Sequence, residues 1–90
     1  MATPSKSLAD LGLRAQGGRE ARITGLAVDS RQVKPGFLFA ALPGSKAHGA
    51  EFIQYALRME AGAILTDREG AAMARAELDA SRAALVIAEN

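Results

Sequence analysis

From residue 37 onward the chain alternates short apolar runs with helical patterns. Phe37 to Leu42 (Phe-Leu-Phe-Ala-Ala-Leu) is a continuous apolar run with turn signals on both sides. Such a run predicts a strand buried on both faces. From about Ala50 to Met59, the residues Phe52, Ile53, Ala56 and Leu57 recur at helical spacing and predict a helix with that apolar face. Phe37, Phe39 and Phe52 all read as core. Ala63 to Thr66 predicts a short strand, Glu69 to Leu78 an alanine-rich helix, and Ala84 to Ala88 a last strand. Strand, helix, strand, helix, strand is the order of an α/β layered fold, with parallel neighbours joined by right-handed crossovers.

The first half is less regular. Residues 1–6 read as a frayed tail. Ser7 is placed to cap a helix, with Asp10 three residues on and Leu8 and Leu11 on one face. Gly12 weakens that helix and Gly17-Gly18 ends the region. Ile23 to Val28 predicts a strand, which Gly25 weakens. Asp29-Ser30-Arg31 ends it. Pro35-Gly36 signals a turn, with Pro presetting φ and Gly permitting a positive φ. The whole predicts a small domain with a mostly parallel or mixed sheet of about 4–5 strands flanked by helices.

Composition narrows the picture. The 90 residues include 20 alanines but only 24 larger apolar side chains, so the core is thin and the chain is expected to belong to something larger. There is no cysteine, hence no disulfide framework and no thiolate metal site. With one His besides, no metal site is expected. No apolar run approaches the ~20 residues of a membrane span. Eleven basic and ten acidic residues leave a net charge of +1, without the basic stripe of a nucleic-acid binder.

Two polar loops follow predicted strands: Asp29-Ser30-Arg31, and Gly44-Ser45-Lys46-Ala47-His48-Gly49. Ligands of open α/β sheets settle at the carboxyl ends of strands. The second loop also enters a helix N-terminus, where free N–H groups favour an anion. The Ser30 and Ser45 hydroxyls with Arg31 and Lys46 suit a phosphate or a nucleobase edge. From the residues alone, both loops read first as ordinary solvated connections and only second as a ligand site. Gly-Ser-Lys is not a phosphate loop, because that motif needs Gly-Lys followed by Ser or Thr. His48 has no nucleophile beside it, Asp29 suits pairing with Arg31 or capping the turn, and no catalytic set of side chains can be assembled.

Three stretches carry a resemblance: Ile-Thr-Gly-Leu-Ala-Val-Asp-Ser-Arg (23–31), Val33-Lys34-Pro35-Gly36 continuing through Phe-Leu-Phe-Ala-Ala-Leu-Pro-Gly to Gly44, and Phe52-Ile53 with Ala56. Together they resemble the N-terminal domain of the Mur ligases, which add amino acids to the peptidoglycan precursor. The resemblance covers about residues 7–88. The run ending Leu-Pro-Gly-Ser-Lys is most similar to the branch joining meso-diaminopimelate, or lysine, to UDP-N-acetylmuramoyl-L-alanyl-D-glutamate. The D-alanyl-D-alanine-adding branch shares much of the pattern.

The resemblance implies a division of labour in a cytoplasmic enzyme. The N-terminal domain, here residues 7–90, holds the UDP end of the substrate. A central domain with a Gly-Thr-x-Gly-Lys-Thr loop binds ATP with Mg²⁺, and a C-terminal domain brings the amino acid. ATP phosphorylates the substrate carboxylate, and the amine attacks the acyl phosphate. Val28 and Ser30 match the first UDP-contacting segment; Ser45, Lys46 and Ala47 match the second. Asp29, Arg31, Gly44 and His48 take supporting roles. The expected partners are the UDP-N-acetylmuramoyl-dipeptide and the central domain, with no nucleic acid and no membrane. No Gly-Thr-x-Gly-Lys-Thr occurs in the 90 residues, so this chain is expected to bind without ligating. The competing reading is a non-enzymatic α/β module working through protein contacts.

Two positions depart from the family pattern. His48 stands where an Asp is usual before Gly49. Glu60 stands where a Gly commonly follows the helix, so it must either adopt a strained backbone or let the helix run on to Gly62.

Overall fold

The computed structural model describes residues 5–42 and 49–88. Four strands form one parallel sheet in sequence order: β3 (Gly25–Ala27), β4 (Phe37–Ala41), β5 (Ala63–Thr66) and β6 (Ala84–Ile87). Their register pairs Ala27 with Phe39, Leu38 with Ala63, and Ala63 with Ala84. Two short strands, β1 (Lys6–Ser7) and β2 (Arg22–Ile23), pair antiparallel in a separate small sheet. The helices are α1 (Ile53–Arg58), α2 (Arg68–Met73) and α3 (Arg75–Asp79).

The period-two alternation of the strands divides the core into two layers. Phe39, Ala41 and Ile64 face Ile53, Ala56, Ala74 and Leu78 from the helical segments. Leu38, Ala63, Ala84 and Val86 face Leu8, Ala15 and Ile23 from the N-terminal segment. The cause is topological. Strands that step one way across a sheet through right-handed crossovers place every crossover on one face. The other face must be covered by something else, and residues 8–23 do it. Phe39, Ile53 and Ile64 are fully buried, and each contributes about 1.5–3 kcal/mol by leaving water.

β4 is the two-sided strand its apolar run predicts. A tight turn launches it: the Phe37 amide donates to Lys34 O at 3.0 Å, and Gly36 takes φ 86, which glycine alone adopts freely. At the far end of the sheet Thr66 is fully buried, and its hydroxyl donates to Ala41 O at 2.7 Å. That bond satisfies a polar group which would otherwise cost about 1–3 kcal/mol in the core.

Several expectations need correction. The Ser7 helix is only a 3-10 turn, Ala9–Leu11, closed by Gly12 at φ 75. Its cap is nonetheless reciprocal: the Asp10 amide donates to Ser7 Oγ at 3.0 Å, and the Ser7 amide to Asp10 Oδ2 at 3.1 Å. Lys6 is not frayed, because it pairs with Ile23, and Arg22 donates to both Ser5 Oγ and Ser5 O. The 23–28 strand is split at Thr24, whose amide donates to Gly36 O and whose hydroxyl donates to Pro35 O. Thr24 is thus held by the turn, and its two sides join different sheets. Val28 falls beyond the strand.

The 50–59 helix begins as a 3-10 segment, Gly49–Phe52, before α1. The 69–78 helix is interrupted at Ala74 (φ −112, ψ 22). The interruption is shallow, since Ala74 still bonds Gly70 O and Leu78 still bonds Ala74 O. The Asp67 carboxylate caps α2 by accepting from the Gly70 amide at 2.7 Å.

Glu60 takes the strained course of the two expected. Its φ is 65, the only positive value outside glycine among the described residues. The surrounding bonds make a complete Schellman cap: the Glu60 amide donates to Leu57 O, and the Ala61 amide to Ala56 O. Glu60 O in turn accepts from the Gly36 amide at 3.0 Å, tying the end of α1 to the turn before β4.

Candidate nucleotide site

The carboxyl ends of the four parallel strands lie along one edge of the sheet. Val28 to Arg31 leaves the end of β3 there. Asp29 caps a 3-10 turn, Ser30–Gln32, with Oδ1 accepting from the Arg31 amide at 2.9 Å. The same carboxylate receives the Arg31 side chain as a fork, Nε at 3.1 Å on Oδ1 and Nη2 at 2.7 Å on Oδ2. Pairing and capping, expected as alternatives, are both present. The Arg31 guanidinium, followed by the Arg31 amide, pulls the Asp29 carboxyl down to about 2, and the pairing raises the Arg31 pKa in return. The pair is exposed, Arg31 more so than Asp29. It holds the loop's shape and aims Arg31, and as an exposed pair it adds only a little stability.

Ser30 is buried at the head of the turn, whereas Val28 is 84% exposed. Val28, Asp29, Ser30 and Arg31 line an open cleft of about 690 Å³ with Phe52 and Tyr55. Phe52 was expected in the core, and the structure overturns that: it is 48% exposed. The side of α1 carrying Ile53 and Ala56 meets the sheet. Phe52, Tyr55 and Met59 form a second apolar stripe on the helix, one step round from the first. Sequence reasoning missed Phe52 and Tyr55 as site residues. The available signal was this excess of apolar positions over what one buried face can take.

Gly44, Ser45, Lys46, Ala47 and His48 lie outside the described residues. The ends of their segment are described. The Gly49 amide donates to Leu42 O at 2.9 Å, so the segment leaves and returns at the carboxyl end of β4. Gly49 packs directly on that strand: a Cβ there would sit 2.9 Å from Ala41 Cα and from Leu42 N. The Thr66 bond to Ala41 O anchors the same point from the β5 side.

A separate cleft of about 430 Å³ lies along β6, lined by Gln16, Arg19, Arg75, Leu85 and neighbours. β6 is the opposite edge strand from β3, and no residue of the 28–31 loop reaches this cleft. Among the described residues no group of three His, Cys, Asp or Glu side chains could hold a metal ion. No described helix is long and apolar enough to cross a membrane.

The family model described as "Mur ligase family, catalytic domain" matches residues 22–88, most of the chain. The chain belongs to the Mur ligase family. Among curated proteins this Mur ligase chain is 53% identical over 76 residues to a UDP-N-acetylmuramoyl-L-alanyl-D-glutamate--2,6-diaminopimelate ligase of Streptomyces coelicolor, covering 83% of the chain and 15% of the relative. It is 48% identical over 75 residues to the protein of that name in Streptomyces avermitilis, with the same two shares, 83% and 15%. The Zymomonas mobilis protein of that name is 43% identical over 68 residues, covering 76% of the chain and 12% of the relative. This Mur ligase chain therefore spans about 15% of the length of its Streptomyces relatives. The four-stranded parallel sheet with its helices is consistent with a Mur ligase N-terminal domain.

Proposed function

We propose that this Mur ligase domain holds the UDP end of UDP-N-acetylmuramoyl-L-alanyl-D-glutamate for a cytoplasmic ligase that adds meso-diaminopimelate in peptidoglycan synthesis. The observation that carries the proposal is the cleft at the carboxyl edge of the sheet, lined by the Val28–Arg31 loop that leaves β3, the strand next to β4, from whose carboxyl end the 43–48 segment departs. The relatives' names favour diaminopimelate over D-alanyl-D-alanine as the amino component. Val28 and Ser30 belong to the first UDP-contacting segment, and Ser45, Lys46 and Ala47 to the second. Asp29 fixes the first loop, and Arg31 presents a cation toward the diphosphate.

ATP with Mg²⁺ supplies the activating phosphoryl group in the ligase and belongs to a central domain carrying Gly-Thr-x-Gly-Lys-Thr, a run missing from these 90 residues. Alone, the chain binds substrate and does not ligate. Affinity for UDP is weak, because the remaining substrate contacts lie on other domains. An amide chemical-shift titration with UDP tests the assignment. Saturable shifts at Val28, Ser30 and residues 45–47 support it. No shift at millimolar UDP refutes it, and leaves the reading as a protein-contact module.

A further inference from the structure

We propose that Phe52 and Tyr55 form an aromatic wall of the cleft, against which the planar base of a uridine nucleotide stacks. The inference rests on the UDP reading above and adds two base-holding residues to it.

The core face of α1 is filled: Ile53 and Ala56 are fully buried. Phe52 and Tyr55, three residues apart and hence on one side of the helix, are 48% and 46% exposed. Two large rings left half in water on a short helix are not overflow from the core, because they line the same cleft as Val28, Asp29, Ser30 and Arg31. The cleft therefore combines two aromatic rings and an exposed aliphatic side chain with an anchored cation. Rings and a valine methyl suit the flat faces of a base. Arg31 spends Nε and Nη2 on Asp29, which leaves Nη1 for the phosphate end of the same ligand. A free phosphate or a sugar phosphate has no use for the aromatic half, so the probe that fits the whole cleft is a nucleotide.

The chain carries a built-in reporter. Tyr55 is its only tyrosine and it has no tryptophan, so intrinsic fluorescence comes from this cleft. UDP is expected to quench that emission saturably, and ribose 5-phosphate at equal concentration is not. Phe52→Ala and Tyr55→Ala should each weaken UDP binding about five- to tenfold, the lower part of the range for base–aromatic stacking. Phe52→Leu should weaken it too, since bulk without a ring does not stack. Tyr55→Phe should bind within about twofold of the parent chain. Circular dichroism confirms that each variant is folded; removing an exposed ring leaves the core intact.

If UDP shifts the Val28 and Ser30 amides while all three ring-removing variants bind like the parent, the aromatic wall is overturned and the UDP reading stands. The rings then face a protein surface. If UDP neither shifts those amides nor quenches Tyr55, the UDP reading falls and the wall with it.

Discussion

Replacing Glu60 with glycine should stabilise the chain. Glu60 sits at φ 65, where an L-residue meets a steric cost of about 1–2 kcal/mol that glycine escapes. Glycine raises the entropy of the unfolded chain, which returns about 0.4–1 kcal/mol. The net expectation is a gain of about 0.5–1 kcal/mol. Nothing else is lost in the exchange. The side chain is exposed, and the bonds that define the cap are backbone bonds: Glu60 N to Leu57 O, Ala61 N to Ala56 O, and Gly36 N to Glu60 O. For a domain of this size a gain of that order raises Tm by about 2–8 °C. Thermal unfolding followed by far-UV circular dichroism reads it directly. Glu60→Ala is the control, because it keeps the Cβ and with it the strain, and should not raise Tm. A Glu60→Gly variant with an unchanged or lower Tm, or an alanine variant that matches it, would refute the strained-cap argument.

Gly49→Ala should destabilise the chain by about 1–3 kcal/mol, because the new methyl meets the backbone of Ala41 and Leu42 and cannot be accommodated by turning a side chain. Urea unfolding checks this, and the same variant should bind UDP more weakly, since the second loop closes at this point. Acid should weaken the fold partly through Asp29. Its carboxyl titrates at about 2 instead of its ordinary 3.8, so its contribution is complete above pH 3.8 and is lost as pH falls toward 2. Urea midpoints measured across that window should fall less steeply in Asp29→Asn than in the parent chain.

The fold was legible wherever an apolar pattern had one interpretation. The bounds of the strand Ala63–Thr66 were readable in full, because four apolar or β-branched residues stand between Gly62 and the capping Asp67. The strand begun at Phe37 was plain too, although it ends at Ala41, one residue short of the predicted Leu42. The 23–28 segment was not, because local pattern cannot show that Thr24 bonds to a turn twelve residues on and divides the strand. Nor could it show that residues 8–23 serve as one layer of the core, which follows from the order of strands across the sheet. At the site, the Asp29–Arg31 pairing was readable from a separation of two residues. The outward turn of Phe52 was not, because its phase on the helix depends on the 3-10 segment that precedes α1.

The central claim is that a uridine nucleotide occupies the cleft beside Val28. Intermolecular NOEs between the uracil ring protons of bound UDP and the side chains of the isotope-labelled chain test it most directly. Contacts from the base to the Val28 methyls, joined by Phe52 and Tyr55, are the expected result. Contacts instead to Leu85 and Arg19 along β6, with none to Val28, would contradict it.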